Sequence, residues 1–127
     1  MEPQVELMNL IVEAIKNQCE IYVSLDGLPK HGGVSAELAA GYIESLYYSK
    51  EAIRVIPVLF LSKDRNQEDC ANWLCQICNC LQTMKIYPSA ESFSWLDATT
   101  ATEPNKIGKQ EDGQYIYSAI VNMKIYF

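Results

Sequence analysis

The sequence has little of what acid–base or metal chemistry requires: among its 127 residues there is a single histidine, His31. It also lacks a basic surplus, since 10 Lys and Arg stand against 16 Asp and Glu and give a net charge of −6. Nucleic-acid backbones and anionic membranes are bound through clustered Lys and Arg. The composition therefore argues against a membrane or sequence-specific nucleic acid as the main partner.

Long apolar runs are missing too. The longest fall far short of the roughly 20 residues that span a bilayer. The first residues, MEPQVELMNLIVEAIKNQ, have neither the basic region nor the small-residue cleavage site of a signal peptide. We therefore expect a chain made in the cytosol, where thiols stay reduced. Five cysteines, an odd number, also fit a disulfide framework poorly.

The overall composition is that of a globular protein, with 49% hydrophobic and 20% charged residues and no low-complexity tract. A chain of this length buries roughly two thirds of its unfolded surface, so it can form a stable core without disulfide bonds or bound metal ions. We expect one domain over residues 1–127.

Over residues 4–25 the spacing of the apolar residues changes from the three-to-four-residue repeat of a helix to the two-residue repeat of a strand. It predicts an amphipathic helix over about 4–18, and then a half-buried strand over 19–25 that ends at a turn. Two further strands are expected over 34–40 and 42–48, separated by Gly41.

The second part opens with a strand over 52–61 that is apolar on both faces, where Pro57 predicts an edge position or a bulge. Asn66 can cap a second helix that runs to about 83. A strand over 92–98 and a turn-rich stretch precede a long final strand over 114–126, which we expect to curve or carry a bulge. The order α-β-β-β-β-α-β-β predicts an α+β fold, a two-layer sandwich in which two helices pack on one face of a mostly antiparallel sheet.

Four cysteines are concentrated in DCANWLCQICNC, residues 69–80, and the first three match the C-x4-C-x2-C spacing of an iron–sulfur site. On a helix, at about 100° per residue, Cys75 and Cys78 share a face while Cys80 points nearly opposite to them. The apolar residues of this segment instead form one helical stripe: Cys70, Leu74, Ile77, Cys78 and Leu81. Core packing is the favoured interpretation, with a metal or redox site and a disulfide as the alternatives.

Two stretches resemble ligand-binding loops but lack the defining residues. DRNQED has the alternate spacing of a calcium loop, but Asp69 stands where glycine is needed and Cys75 where the bidentate glutamate is needed. In GLPKHGGVS, Lys30 precedes Gly32, which is the wrong order for a phosphate-binding loop. His31 lies in the same loop without an assignable catalytic partner. We assign no catalytic residue, cofactor or metal ligand.

Aromatic residues are the remaining feature. The chain has eight tyrosines and two tryptophans, and the final strand carries Tyr115 and Tyr117 on one face and Tyr126 on the other. Aromatic side chains with a polar group are enriched at protein interfaces. Ordinary sheet packing is the alternative.

Three segments also resemble a known family. The strand and loop SLDGLPKHGG, the strand PVLFLSK before the second helix and the final strand YIYSAIVNMKIYF are similar to those of phage minor capsid proteins. These belong to long-tailed phages and prophages, together with the related tail terminator proteins. The resemblance extends over nearly the whole chain.

The resemblance implies a structural virion protein without enzymatic activity or cofactor. Tail terminators form a hexameric ring that caps the tail tube and joins it to the head. The implied partners are further copies of the chain, the major tail tube protein and a head-completion protein. The implied location is the tail or neck of the virion, after assembly in the bacterial cytoplasm.

A ring closed by head-to-tail contacts needs two different patches on each protomer, and loops and sheet edges commonly supply them. We expect the contacts in the loop 27–33, the polar stretch 99–113 and the final strand. The candidate interface residues are Lys30, His31, Gly32, Gly33, Asn105, Lys106, Lys109, Tyr115, Tyr117 and Tyr126. The competing hypothesis is a small α+β binding or regulatory module, metal-linked through the cysteine cluster.

Overall fold

A computed structural model describes residues 2–127 and contains the predicted order of elements. The helices and strands are α1 (Pro3–Cys19), β1 (Val23–Ser24), β2 (Gly33–Leu38), β3 (Tyr42–Leu46), β4 (Ala52–Asp64), α2 (Gln67–Thr83), β5 (Ser94–Lys109) and β6 (Tyr115–Tyr126). The fold is α+β, with two helices packed on an open, mostly antiparallel six-stranded sheet. Among residues 2–127 there is no helix long and apolar enough to cross a membrane.

The sheet has the strand order β1-β2-β4-β6-β5, and β3 also pairs with β4. β1 and β2 are parallel, whereas the other pairs are antiparallel. β4 is central because β6 pairs along one side of it while β2 and β3 share the other side. Both helices join one face of this sheet in a single hydrophobic cluster.

Pro57 lies in this central strand, so the prediction of an edge position or a bulge is wrong. The register of β4 with β6 is continuous through Pro57, which pairs with Asn122. The Pro57 carbonyl accepts from the Ala39 N–H at 2.9 Å, so its backbone groups face the side shared by β2 and β3. Its missing N–H therefore falls in the gap where β2 ends and β3 begins, and the ladder to β6 is unaffected.

The predicted strand over 19–25 is also largely wrong. α1 continues to Cys19. The Glu20 N–H still donates to the Lys16 carbonyl at 3.0 Å, and the left-handed backbone of Glu20 (φ 58°) then ends the helix. Only Val23 and Ser24 form a strand, and Leu25 is exposed. The helical hydrogen bonds of α1 thus extend into residues whose alternation favoured a strand.

α2 confirms the prediction made for the cysteine-rich segment. The Asn66 side chain caps the helix by accepting from the Glu68 N–H at 2.9 Å and the Asp69 N–H at 3.2 Å. The predicted stripe is buried: Cys70, Leu74, Ile77, Cys78 and Leu81. The remaining cysteines of the segment, Cys75 and Cys80, are exposed and half-buried respectively.

β5 is much longer than the predicted strand over 92–98 and includes most of the stretch expected to form turns. Its pairing with β6 shifts register at four places, so the irregularity lies in β5, and β6 keeps a continuous register with β4. β5 is an edge strand, where Pro104 and Gly108 are tolerated. The regular strand β6 serves as the template, and its alternate residues enter the core as predicted: Ala119, Val121, Met123 and Ile125.

Candidate interface at the loop end of the sheet

The loop between β1 and β2 meets the turn between β5 and β6 at one end of the sheet, and Gln114 holds them together. This side chain is only 5% exposed. Its Nε2 donates to the Lys30 carbonyl at 3.0 Å and to Asp112 Oδ2 at 2.9 Å. Two segments far apart in sequence are therefore joined by one amide group. Sequence reasoning missed Gln114; the signal available was a polar residue directly after the Asp-Gly of a tight turn.

The glycines of the β1–β2 loop set its position. Gly32 has φ of +109°, and a Cβ placed there would lie 2.9 Å from the Lys63 carbonyl oxygen. Gly33 has φ of +143°, and a Cβ there would lie 3.0 Å from the Pro29 ring. A larger residue would strain the backbone at either position, and at position 32 it would also push the loop away from the end of β4. These glycines let the loop approach the sheet closely.

The lysines of β5 gather around an aromatic ring on β6. Lys109 pairs with Tyr115 and Lys106 with Tyr117 in the strand register. The ammonium nitrogens of Lys106 and Lys109 lie 4.9 Å and 5.3 Å from the centre of the Tyr115 ring. At exposed sites such contacts contribute about 0.5–1 kcal/mol each. They leave the charges accessible while restricting where the side chains lie.

A salt bridge continues this arrangement into the turn. Lys63 is 9% exposed and its Nζ lies 3.8 Å from Asp112 Oδ2. The backbone N–H of Gln114 donates to Asp112 at 3.0 Å and is the main cause that lowers the pKa of Asp112, with Lys63 and Arg65 adding to it. Asp112 therefore stays ionised at neutral pH. The turn keeps both its hydrogen bond from Gln114 and its salt bridge with Lys63.

Nine of the ten predicted interface residues lie at this end, which we call the loop end. Lys30, His31, Asn105, Lys106 and Lys109 expose their side chains. Tyr117 differs, because its half-buried ring packs on the core and its hydroxyl donates to Gln67 at 3.3 Å. Ordinary packing thus accounts for Tyr117.

The tenth residue, Tyr126, lies at the opposite end, where it pairs with Ile53 and its ring meets Tyr47 edge-on at 5.9 Å. A set of exposed aromatic and aliphatic residues lies at the same end and was not predicted. Its members are β3 and the turn that follows: Tyr42, Ile43, Leu46, Tyr47 and Tyr48. Tyr42 is 61% and Leu46 is 67% exposed. We call this the tyrosine end; the signal in the sequence was the tyrosine-rich YIESLYY.

A cleft of about 300 Å³ opens beside the tyrosine end, lined by Leu38, Tyr42, Ile43 and Arg54 among others. Arg54 Nη1 donates to the Phe127 carbonyl at 2.9 Å, and its guanidinium lies 3.7 Å from the centre of the Phe127 ring. The floor of this cleft is therefore fixed in place. The chain exposes two chemically different regions at opposite ends of one sheet, one charged and polar and one rich in aromatic and aliphatic side chains.

Two cysteines of α2, Cys70 and Cys78, have the environment of core residues. Burial raises the pKa of Cys78 to about 11 and also raises that of Cys70. Both thiols are thus protonated at neutral pH, whereas a metal ligand has to be a thiolate. Across residues 2–127, His, Cys, Asp and Glu side chains do not form a group of three that could hold a metal ion.

Comparison with known proteins gives one informative result. No protein family matches the sequence, and no curated protein matches it. Among solved structures, a chain from the virion of a native gene transfer agent (GTA) particle is similar, with a TM-score of 0.59. The match covers 92% of this chain and 84% of that chain at 6% sequence identity. At this identity the similarity shows a shared fold.

Proposed function

We propose that this chain is a structural component of a phage-like virion, with no enzymatic activity, and that it assembles with other proteins of the particle. The observation that carries the proposal is the fold shared with a chain of a gene transfer agent virion over 92% of the sequence. The resemblance of the strand and loop segments to phage minor capsid proteins supports it independently.

Within the particle, we propose the role of a tail terminator or minor capsid protein. Copies of the chain form a ring, with six as the expected number, that caps the tail tube and joins it to the head. The major tail tube protein and a head-completion protein are the remaining partners. The two different patches support this role, because a head-to-tail ring needs unlike surfaces on each protomer.

The loop end is the better candidate for a charged contact. Lys30, His31, Lys106 and Lys109 are exposed there, and Gln114 and Tyr115 hold the segments that carry them. The rest of a chain with net charge −6 offers acidic surface to these lysines. Charge complementarity of this kind fixes orientation and accelerates association.

Native mass spectrometry and size-exclusion chromatography of the purified chain over a range of concentrations test the ring. We expect a hexamer that the double variant Lys106→Glu with Lys109→Glu weakens by at least about tenfold, because two contacts become repulsive. Lys85→Glu is the control for a single charge reversal outside the loop end, where Lys85 is exposed; Lys106→Glu alone is the variant to compare with it.

A chain that stays monomeric at every concentration, with and without the substitutions, would contradict self-assembly through the loop end. A monomer that carries metal and loses it in the variant Cys75→Ser with Cys78→Ser would instead support the binding-module hypothesis.

A further inference from the structure

Two cysteines from different helices meet where α1 ends against α2. Cys19 is the last residue of α1, and its Sγ donates to the Gln76 carbonyl at 3.8 Å. In an α-helix that carbonyl accepts from the N–H four residues later, which is Cys80. The Cys19 sulfur therefore lies against the turn of α2 that carries Cys80.

The side chains of Cys19 and Cys80 are close enough to interact. Burial, and then a hydrogen bond and charge interaction with Cys19, raise the pKa of Cys80 to about 12. Both side chains are half-buried, so neither is sealed in the core. Cys70 and Cys78 differ in being buried, and Cys78 belongs to the hydrophobic core cluster.

An open cleft gives access to Cys80. It has a volume of about 420 Å³ and is lined by Gln18, Cys80, Thr83, Met84, Lys85 and Ile86. Cys80 itself lines the cleft, and Gln18, another lining residue, immediately precedes Cys19 in the chain. The Lys85 ammonium favours entry of an anionic reagent, and glutathione is anionic at neutral pH.

We propose that Cys19 and Cys80 form a reversible disulfide that links α1 to α2, with low-molecular-weight disulfides such as glutathione disulfide as the oxidant. One cysteine thiolate attacks a sulfur of glutathione disulfide, which breaks its S–S bond and releases one glutathione thiolate that takes up a proton. The second cysteine then attacks the resulting mixed disulfide. It forms the Cys19–Cys80 bond, loses its own proton and releases the second glutathione.

In this reaction two protein thiols lose two electrons and glutathione disulfide gains them. The high pKa of Cys80 keeps its thiolate scarce, so the oxidation accelerates as the pH rises. The link joins the two helices covalently, and it closes residues 19–80 into a loop. The chain thus folds with free thiols and gains a covalent link when its surroundings become oxidising. The inference stands on the two helices alone and does not depend on the proposed virion role.

The test is incubation of the full chain with glutathione disulfide, alkylation of the remaining thiols, tryptic digestion and mass spectrometry. Cleavage after lysine and arginine places Cys19 in peptide 17–30 and the other four cysteines in peptide 66–85. We expect these two peptides to become linked, with fragmentation assigning the bond to Cys80. Thermal unfolding of the oxidised chain should shift upward by at least about 5 °C and return on reduction.

Cys19→Ser and Cys80→Ser should each abolish both the link and the thermal shift, and Cys75→Ser should preserve them. The proposal is overturned if peptides 17–30 and 66–85 stay unlinked in the oxidised wild type. It is equally overturned if the link and the shift persist in Cys80→Ser, because another cysteine would then be the partner of Cys19.

Discussion

Titration of the Cys78 thiol should lower the free energy of unfolding of this protein at alkaline pH, and a variant without that thiol should lack this loss. Cys78 is 2% exposed and burial raises its pKa from the ordinary value of 9.0 to about 11. Between these two values the unfolded chain has lost the thiol proton while the folded chain retains it. The free energy of unfolding therefore falls as the pH rises from about 9 to about 11.

The size of this loss follows from the shift. Each unit of pKa difference corresponds to about 1.4 kcal/mol, so complete titration of Cys78 costs roughly 2–3 kcal/mol of stability. Below pH 9 the contribution is fully present, because the thiol is neutral in both states. Cys78→Ala has no thiol to titrate and should lack this decline, after a constant loss from the smaller side chain.

The assay is urea unfolding under reducing conditions at pH 8, 9, 10 and 11 for the wild type, Cys78→Ala and Cys75→Ala. The difference in unfolding free energy between wild type and Cys78→Ala should shrink by roughly 2–3 kcal/mol over this range. Cys75→Ala, an exposed position on the same helix, should follow the wild type. A wild-type minus Cys78→Ala difference that stays constant would refute the assignment of Cys78 as a buried neutral thiol.

Two further predictions concern backbone positions. Gly41→Ala should cost about 1–3 kcal/mol of stability, since its Cβ would lie 2.4 Å from the Val55 carbonyl oxygen. Gly108→Ala is the matched control, because a Cβ there meets no described atom within 4 Å; equal losses at both glycines, measured by urea midpoint, would contradict the close approach beside Pro57. Asn66→Ala should cost about 1 kcal/mol by leaving two N–H groups of α2 uncapped, and an unchanged melting temperature would show that water replaces the cap fully.

The elements that could be predicted from sequence are those in which the apolar periodicity and the residues at the ends indicate the same secondary structure. α2 has an apolar stripe, a capping asparagine and a length that all indicate one helix, and the structure confirms it. β6 alternates without interruption, so its buried face was predictable. In both elements the local signal and the tertiary environment favour the same conformation.

β5 could not be predicted because its conformation comes from its neighbour. Pro104 and Gly108 indicate turns locally, yet the regular ladder of β6 holds this edge strand extended and the register shifts absorb the mismatches. Cys19 was misplaced for the opposite reason, since an alternating pattern began before the helix had ended. This error concealed the contact with Cys80, which depends on Cys19 being helical.

The candidate interface was predictable as a set of exposed segments but not as one surface. Loop 27–33 and the β5–β6 turn meet because the strand order places β2, β4, β6 and β5 side by side. That order, and the bonds of Gln114 to Lys30 and Asp112, follow from tertiary packing rather than from any local pattern. The tyrosine end was missed because the segment YIESLYY was interpreted only as a strand, and its tyrosines were not considered as interface residues.

The position of the loop end is determined by the hydrophobic core. β6 pairs with β4 without a shift from Tyr115 to Tyr126, so a slip by one residue would turn its buried residues out of the core. The separate pairing of β5 with β6 places Lys109 opposite Tyr115, and Gln114, next to Tyr115, reaches the Lys30 carbonyl. The loop end is thus held in one geometry before any partner binds, which lowers the ordering cost of association. Changes to its exposed lysines should therefore alter assembly and leave folding intact, whereas changes to the buried face of β6 should impair both.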